Sequence, residues 1–228
     1  MVHMQSLFLV RTGAFALAVL LGGYAAWMLT LEMTRPSPPP SFPLADAAST
    51  SADRDRAAAA AQIGVIRGDL FADEAILLAS GLLDETAAGT ARPAPEGLEA
   101  ARDVAERAAR LAPHDSRMWL LIAAIDAKLE RRPEALLKMS YYTAPNDVAL
   151  MALRLQIATR SEAISDPDLQ VLVSGEMRSI LKNKPELKPA IVSAYRDARA
   201  SGRQFIEDAL GSLDPEFLIS VRTRAAPL

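Results

Sequence analysis

Residues Ala101 to Pro145 read ARDVAERAARLAPHDSRMWLLIAAIDAKLERRPEALLKMSYYTAP. Ala101, Ala105 and Ala108 recur at helical spacing, and a Leu-Ala-Pro turn closes that helix at Pro113. A second helix is expected behind Asp115, carrying Trp119, Leu120 and Ile122. A third is expected to begin at Pro133 and stop before Pro145. Small side chains on one helix facing large ones on the next let two antiparallel helices pack closely. The pattern predicts an all-α chain built from antiparallel helical hairpins, and it names no substrate.

This stretch resembles the tetratricopeptide repeat, a helix-turn-helix unit of about 34 residues. Ala101, Ala105, Ala108 and Pro113 keep the family's second-helix spacing, with Leu111 in the apolar place before the proline. Counting onward puts Trp119 at the first-helix aromatic place, Ile122 at the large apolar place and Ala123 at the small one beside it. Ala135 and Met139 then take the small and large places of the next second helix. The sequence departs from the pattern where Ala105 is small, where Asp126 replaces an aromatic and where Tyr142 replaces a small inward residue. Pro145 also arrives two residues early. The resemblance covers residues 97–160 and implies an α-solenoid whose concave face holds proteins or peptides. Any alanine-rich helical bundle is the competing reading.

At 228 residues the chain is long enough for a sizeable core plus accessory segments. Half of it is hydrophobic, aromatics are scarce, and Ala, Leu and Arg abound, which favours helix. A formal net charge of −3, mixed in sign, leaves no electrostatic footprint for nucleic acid. With no cysteine, disulfides, thiolate chemistry and Cys-ligated metals are excluded.

Residues 1–11 are read as a short tail. Residues 12–31 carry no charge and match the hydrocarbon thickness of a bilayer at about 1.5 Å per residue, so a transmembrane helix is expected. Tyr24 and Trp27 stand where interfacial aromatics belong. A cleavable signal peptide competes, but its one small-x-small candidate, Ala45-Asp46-Ala47, lies far beyond the apolar run. Residues 32–51 contain five prolines and are read as an extended stalk that holds the domain clear of the lipid. Residues 52–160 form the repeat-like region, with Ser51 or Asp53 as the first cap. Ile63, Ile66, Leu70, Ala75 and Leu78 make an inward stripe there, Asp73 and Glu74 face water, and a break falls near Arg67-Gly68-Asp69. Residues 84–95 are read as a loop. Residues 161–228 form C-terminal helices that cap the last repeat.

Chemistry is sparse. His114 beside Asp115 suggests a helix cap more than an acid-base pair, and no hydrolase, zinc, P-loop or dinucleotide motif occurs. No catalytic, cofactor-binding or metal-ligating residue is assigned. For partner binding, adjacent tyrosines on a helix face different ways. Tyr142 is assigned inward, which leaves Tyr141 partner-facing beside Lys138 and Arg154. The layout predicts a bacterial inner-membrane, single-pass protein with its C-terminal domain in the periplasm. It would act as a non-enzymatic adaptor of an envelope complex, bound to another envelope protein or peptide and to lipid through residues 12–31. An accessory enzyme acting on an envelope glycan is the alternative.

Overall fold

A face made only of alanine sets the centre of the molecule. In a computed structural model describing residues 2–43, 50–83 and 95–225, with side chains from residue 11 on, the helix α4 (Pro95–Leu111) buries Ala101, Ala105, Ala108 and Ala109. With only methyl groups to hold them apart, α3 (Gly68–Ala79) and α5 (Ser116–Lys128) close onto that face from either side. Gly68 marks the tightest approach on the α3 side, where an added Cβ would stand 3.0 Å from Ala112 and 3.1 Å from Leu111. The Arg107 guanidinium lies 4.2 Å from the Phe71 ring centre and seals the α3–α4 seam from outside. Between α4 and α5 the seam is closed by Arg102, whose Nε donates to buried Asp126 at 2.7 Å. Asp126, which departs from the tetratricopeptide pattern, is thereby paired.

Around this centre the described residues form α1 (Val2–Thr34), α2 (Ser51–Ile63), α6 (Glu134–Thr143), α7 (Val148–Arg160), α8 (Pro167–Asn183), α9 (Lys188–Asp197), α10 (Ala200–Leu213) and α11 (Pro215–Ala225). Two short 3-10 turns precede α8 and α9, and no strand occurs among the described residues. The all-helical expectation holds, with helix boundaries close to the proline punctuation. The segments 84–94 and Ala45-Asp46-Ala47 lie outside the described residues.

The chain contains an internal repeat that corrects the expected register. Ala112-Pro113-His114-Asp115 recurs as Ala144-Pro145-Asn146-Asp147, a separation of 32 (positions 112 and 144). The backbone repeats with it. Asp115 caps α5 by accepting from the Arg117 amide at 3.0 Å, and Asp147 caps α7 by accepting from the Ala149 amide at 3.1 Å. The Asp115 and Asp147 amides bond to the Ala112 and Ala144 carbonyls, at 3.0 and 3.3 Å. Helix α7 begins and ends 32 residues after α5 (148 against 116, 160 against 128). On this spacing the counterparts of Ala101, Ala105 and Ala108 are Pro133, Leu137 and Ser140, all buried. Ala135 and Met139, expected inward, are exposed, because the second helix starts two residues earlier than a 34-residue count allows. The apparently early Pro145 is on time. Ile122 and Ala123 are buried as expected, and Trp119 is half-buried against the core with its indole N–H donating to the Pro113 carbonyl at 2.8 Å.

The N-terminal third departs most from expectation. Helix α1 starts at Val2, so most of the tail 1–11 belongs to it. Among the described residues one stretch, Arg11–Thr34, is long and apolar enough to cross a membrane. The proline-rich segment is no free stalk: Pro36 and Phe42 are buried, as is Leu31 of α1. Thr50, rather than Ser51 or Asp53, caps α2 through a reciprocal bond with Asp53. Asp73 faces inward and takes Arg35 Nε at 2.5 Å, an ion pair the sequence spacing does not reveal. Ile63 and Ile66 are exposed, because α2 ends at Ile63 and a turn intervenes before Gly68, where the break was expected. At that break Gly68 is buried and Arg67 is tied to Asp69.

At the other end α9 and α10 both pack on α7. Gly202 sets the α10 crossing, since a Cβ there would lie 2.1 Å from the Thr159 carbonyl oxygen. Gly202→Ala is therefore expected to destabilise by about 2–3 kcal/mol as backbone moves apart. Gly175→Ala, on the open side of α8 with nothing within 4 Å, is expected to stabilise by about 0.5–1 kcal/mol. Thermal unfolding of the two variants in the same detergent checks the pair.

Candidate functional site

Where α6, α7 and α8 meet, the repeat exchanges apolar residues for polar ones. The 32-residue spacing sets Ser140 and Tyr141 opposite Ala108 and Ala109 of the previous copy, and Arg154 opposite Ile122. Glu176 stands one further spacing beyond Ala144, in a helix that runs on where the earlier copies turn (176 against 144). Arg154 has no exposed surface and spends its donors inside: Nε to Ser140 Oγ at 3.0 Å, and the two terminal nitrogens to the Ser140 carbonyl at 2.6 Å and the Ala144 carbonyl at 3.0 Å. Its guanidinium stacks 4.8 Å from the Tyr141 ring centre. Tyr141 donates its hydroxyl to Glu176 Oε1 at 2.8 Å, while Glu176 Oε2 makes no hydrogen bond and stands 3.7 Å from Arg154.

The expected tyrosine assignment is reversed. Tyr141 is only 3% exposed and Tyr142 is 63% exposed. The cause is the register shift: the inward places of α6 fall on Leu137, Ser140 and Tyr141, and Tyr142 lies a further 100° round the helix. Tyr141 and Arg154 do come together, as the sequence suggested, but they offer no surface to a partner. Lys138 remains partly exposed and ties α6 to the start of α8, with Nζ 2.9 Å from Asp166 and 3.6 Å from Asp168. Asp166 also accepts from the Leu169 amide at 2.9 Å, so one carboxylate serves as cap and as counter-ion, and Lys138 holds it below the usual carboxylate range. Sequence reading missed Ser140 and Glu176. The recurring Ala-Pro-x-Asp turn was the signal that would have placed Arg154 in the buried position of Ile122.

Electrostatics at this junction are set by its burial. Burial pushes the Glu176 carboxyl up to about 7, against the pull of the Tyr141 hydroxyl and the Arg154 guanidinium. Burial and the Glu176 charge push the Tyr141 phenol well above its usual value, which keeps it a donor. His114 is exposed in its turn, and Asp115 is engaged as a cap and with Arg117. Among the described residues no group of three or more His, Cys, Asp or Glu is placed to hold a metal ion.

A groove opens on the other side of α8, between it and α10, with a volume of about 840 Å³. Val171, Phe205 and Ile164 give it an apolar floor and wall, while Gln170, Gln204 and Arg178 supply polar contacts. Ser201 lines it with a buried hydroxyl that makes no hydrogen bond. Val171 is 72% exposed on this face, and Gly175 leaves the α8 backbone open beside it. No protein-family model matches the chain, and no curated protein or solved structure shows significant similarity to it.

The cluster's ionisation gives a signed prediction. The native Glu176 carboxyl holds its proton to about 7, against 4.5 ordinarily, so the native state binds more protons across that window and stability falls as pH rises through it. Relative to Glu176→Gln, the parent chain should lose about 3 kcal/mol between pH 4.5 and 7.5, read from urea midpoints in mild detergent. Arg154→Met alone should cost about 3–5 kcal/mol by stranding buried acceptors and a carboxylate. Adding Glu176→Met should recover only the carboxylate's share in the same assay, since the Ser140 and Ala144 carbonyls stay unpaired and the Tyr141 hydroxyl loses its acceptor.

Proposed function

We propose that this chain is a membrane-anchored, non-enzymatic scaffold with tetratricopeptide-like helical hairpins, serving an envelope complex on the outer side of a bacterial inner membrane. The observation that carries the reading is the 32-residue repeat, whose helix-turn-helix copies stack α3, α5 and α7 in succession while α8 follows α6. Stacked hairpins bury a continuous core and leave extended surfaces, an arrangement suited to holding another chain. Helices α8–α11 serve as the cap of the last copy, since α9 and α10 cover α7.

Residues Arg11–Thr34 supply the anchor: Phe15, Leu20, Leu21 and Tyr24 expose apolar side chains that water does not favour. The α8–α10 groove supplies the docking place for a partner peptide, in which exposed Val171 and the unbonded Ser201 hydroxyl await contact. Against an enzymatic reading, the most perturbed carboxyl, that of Glu176, is sealed among α6, α7 and α8.

Photo-crosslinking from position 171 in cells tests this reading. One envelope protein should be captured there and not from position 135 on α6. Val171→Asp with Gln204→Asp should abolish its stoichiometric co-purification at unchanged helicity. A lone, monodisperse chain with no crosslink from position 171 overturns the proposal.

A further inference from the structure

The domain is bonded to α1 near the place where that helix leaves its apolar run. The Trp27 indole N–H donates to the Ile63 carbonyl at 3.2 Å, so the end of α2 is fastened to the aromatic residue of that run. The first charged residue after Arg11 is Glu32, five positions beyond Trp27. At about 1.5 Å per residue, the fastening point lies roughly 7 Å on the apolar side of that charge. The turn that follows, Gly64–Arg67, shows Val65 at 56% and Ile66 at 71% exposure, beside a partly exposed Ile63. Three large aliphatic side chains exposed within four residues, interrupted only by buried Gly64, are out of keeping with a turn that faces water.

The charges beside the turn are consumed locally. Arg67 bonds to Glu32 at 2.9 Å and to Asp69, and Arg35 bonds to Asp73 at 2.5 Å with Asp69 3.6 Å away. These pairs fix the turn against α1 and leave little net charge to seek or avoid lipid headgroups.

Resting on the reading of α1 as a membrane anchor, we infer that the α2–α3 turn, Ile63 to Ile66, is set into the headgroup–acyl boundary of the bilayer that α1 crosses. The interface is where Trp settles, and the hydrogen bond places the turn at the level of Trp27. The domain then stands on the membrane at two points and has a fixed orientation. A single helix with a free stalk would leave it to swivel.

The chain has no cysteine, so single-cysteine probes report cleanly. Ile66→Cys, Leu20→Cys and Ala135→Cys full-length chains, each carrying an environment-sensitive fluorophore, are reconstituted into phosphatidylcholine vesicles. They are read with aqueous iodide and with lipids spin-labelled at shallow or deep carbons. The probe at 20 should be quenched by the deep label and the probe at 135 by iodide. The probe at 66 should shift to the blue and lose most of its emission to the shallow label, and Val65→Cys should behave alike. If 65 and 66 are as open to iodide as 135 while 20 is protected, the turn does not enter lipid and this inference fails with the anchor intact. If 20 is open to iodide as well, the anchor reading itself has failed. Shallow quenching that appears only after anionic lipid is added overturns apolar insertion in favour of electrostatic attachment.

Discussion

The distance between helices across the alanine face of α4 is the constraint on which the architecture depends. Ala101, Ala105 and Ala108 have no exposed surface, and α3 and α5 pack on that helix at once. Any longer side chain there would push one neighbour outward, since packed interiors have little free volume. The close approach explains why α5 is buried on nearly every side, from Met118 through Asp126. It also explains why the ion pair at the rim takes the form it does. A helix so enclosed keeps a carboxylate only if a cation reaches it, and Arg102 reaches Asp126 from the position beside Ala101.

The same geometry cannot be repeated unchanged at the next seam. There the counterparts of two alanines are Ser140 and Tyr141, and Ile122 gives way to Arg154. A guanidinium that donates from each of its three nitrogens to a protein acceptor stands beside the Tyr141 ring. Such a cluster contributes little net stability over apolar residues of the same volume, because desolvation offsets the attraction. Its effect is on register: Arg154 bonds the Ser140 and Ala144 carbonyls while the Tyr141 hydroxyl bonds Glu176, and a slip of α6, α7 or α8 would break these bonds together.

Much of this architecture was legible. Proline and Asp caps announced helix ends, and small–large alternation announced hairpins at α4–α5. Register was not legible from a borrowed period. Counting by a 34-residue unit moved α6 by two residues and turned Tyr141 outward, whereas the chain's own recurring turn gives 32 and turns it inward. Contacts distant in sequence were hidden for a different reason. Nothing local ties Arg35 to Asp73 or Glu176 to Tyr141, since each pair joins elements whose approach is decided by packing elsewhere. The α8–α10 groove belongs to the same class, being set by the Gly202–Thr159 crossing.

Proline content, read alone, suggested a spacer, and the reason it misled is instructive. Proline fixes φ whether the segment stands free or lies on a surface, and it lowers the entropy lost on being held there. What decides between the two is the presence of anchors at the ends. Leu31 and Pro36 at one end and Phe42 at the other are buried, and Arg35 between them pairs with a buried Asp73 whose carboxyl desolvation still holds above its usual range. A segment so pinned lies on the domain rather than standing away from it, with Leu31 and Phe42 in the core cluster. The stiffness that would suit the prolines to a stalk suits them equally to lying between two buried ends.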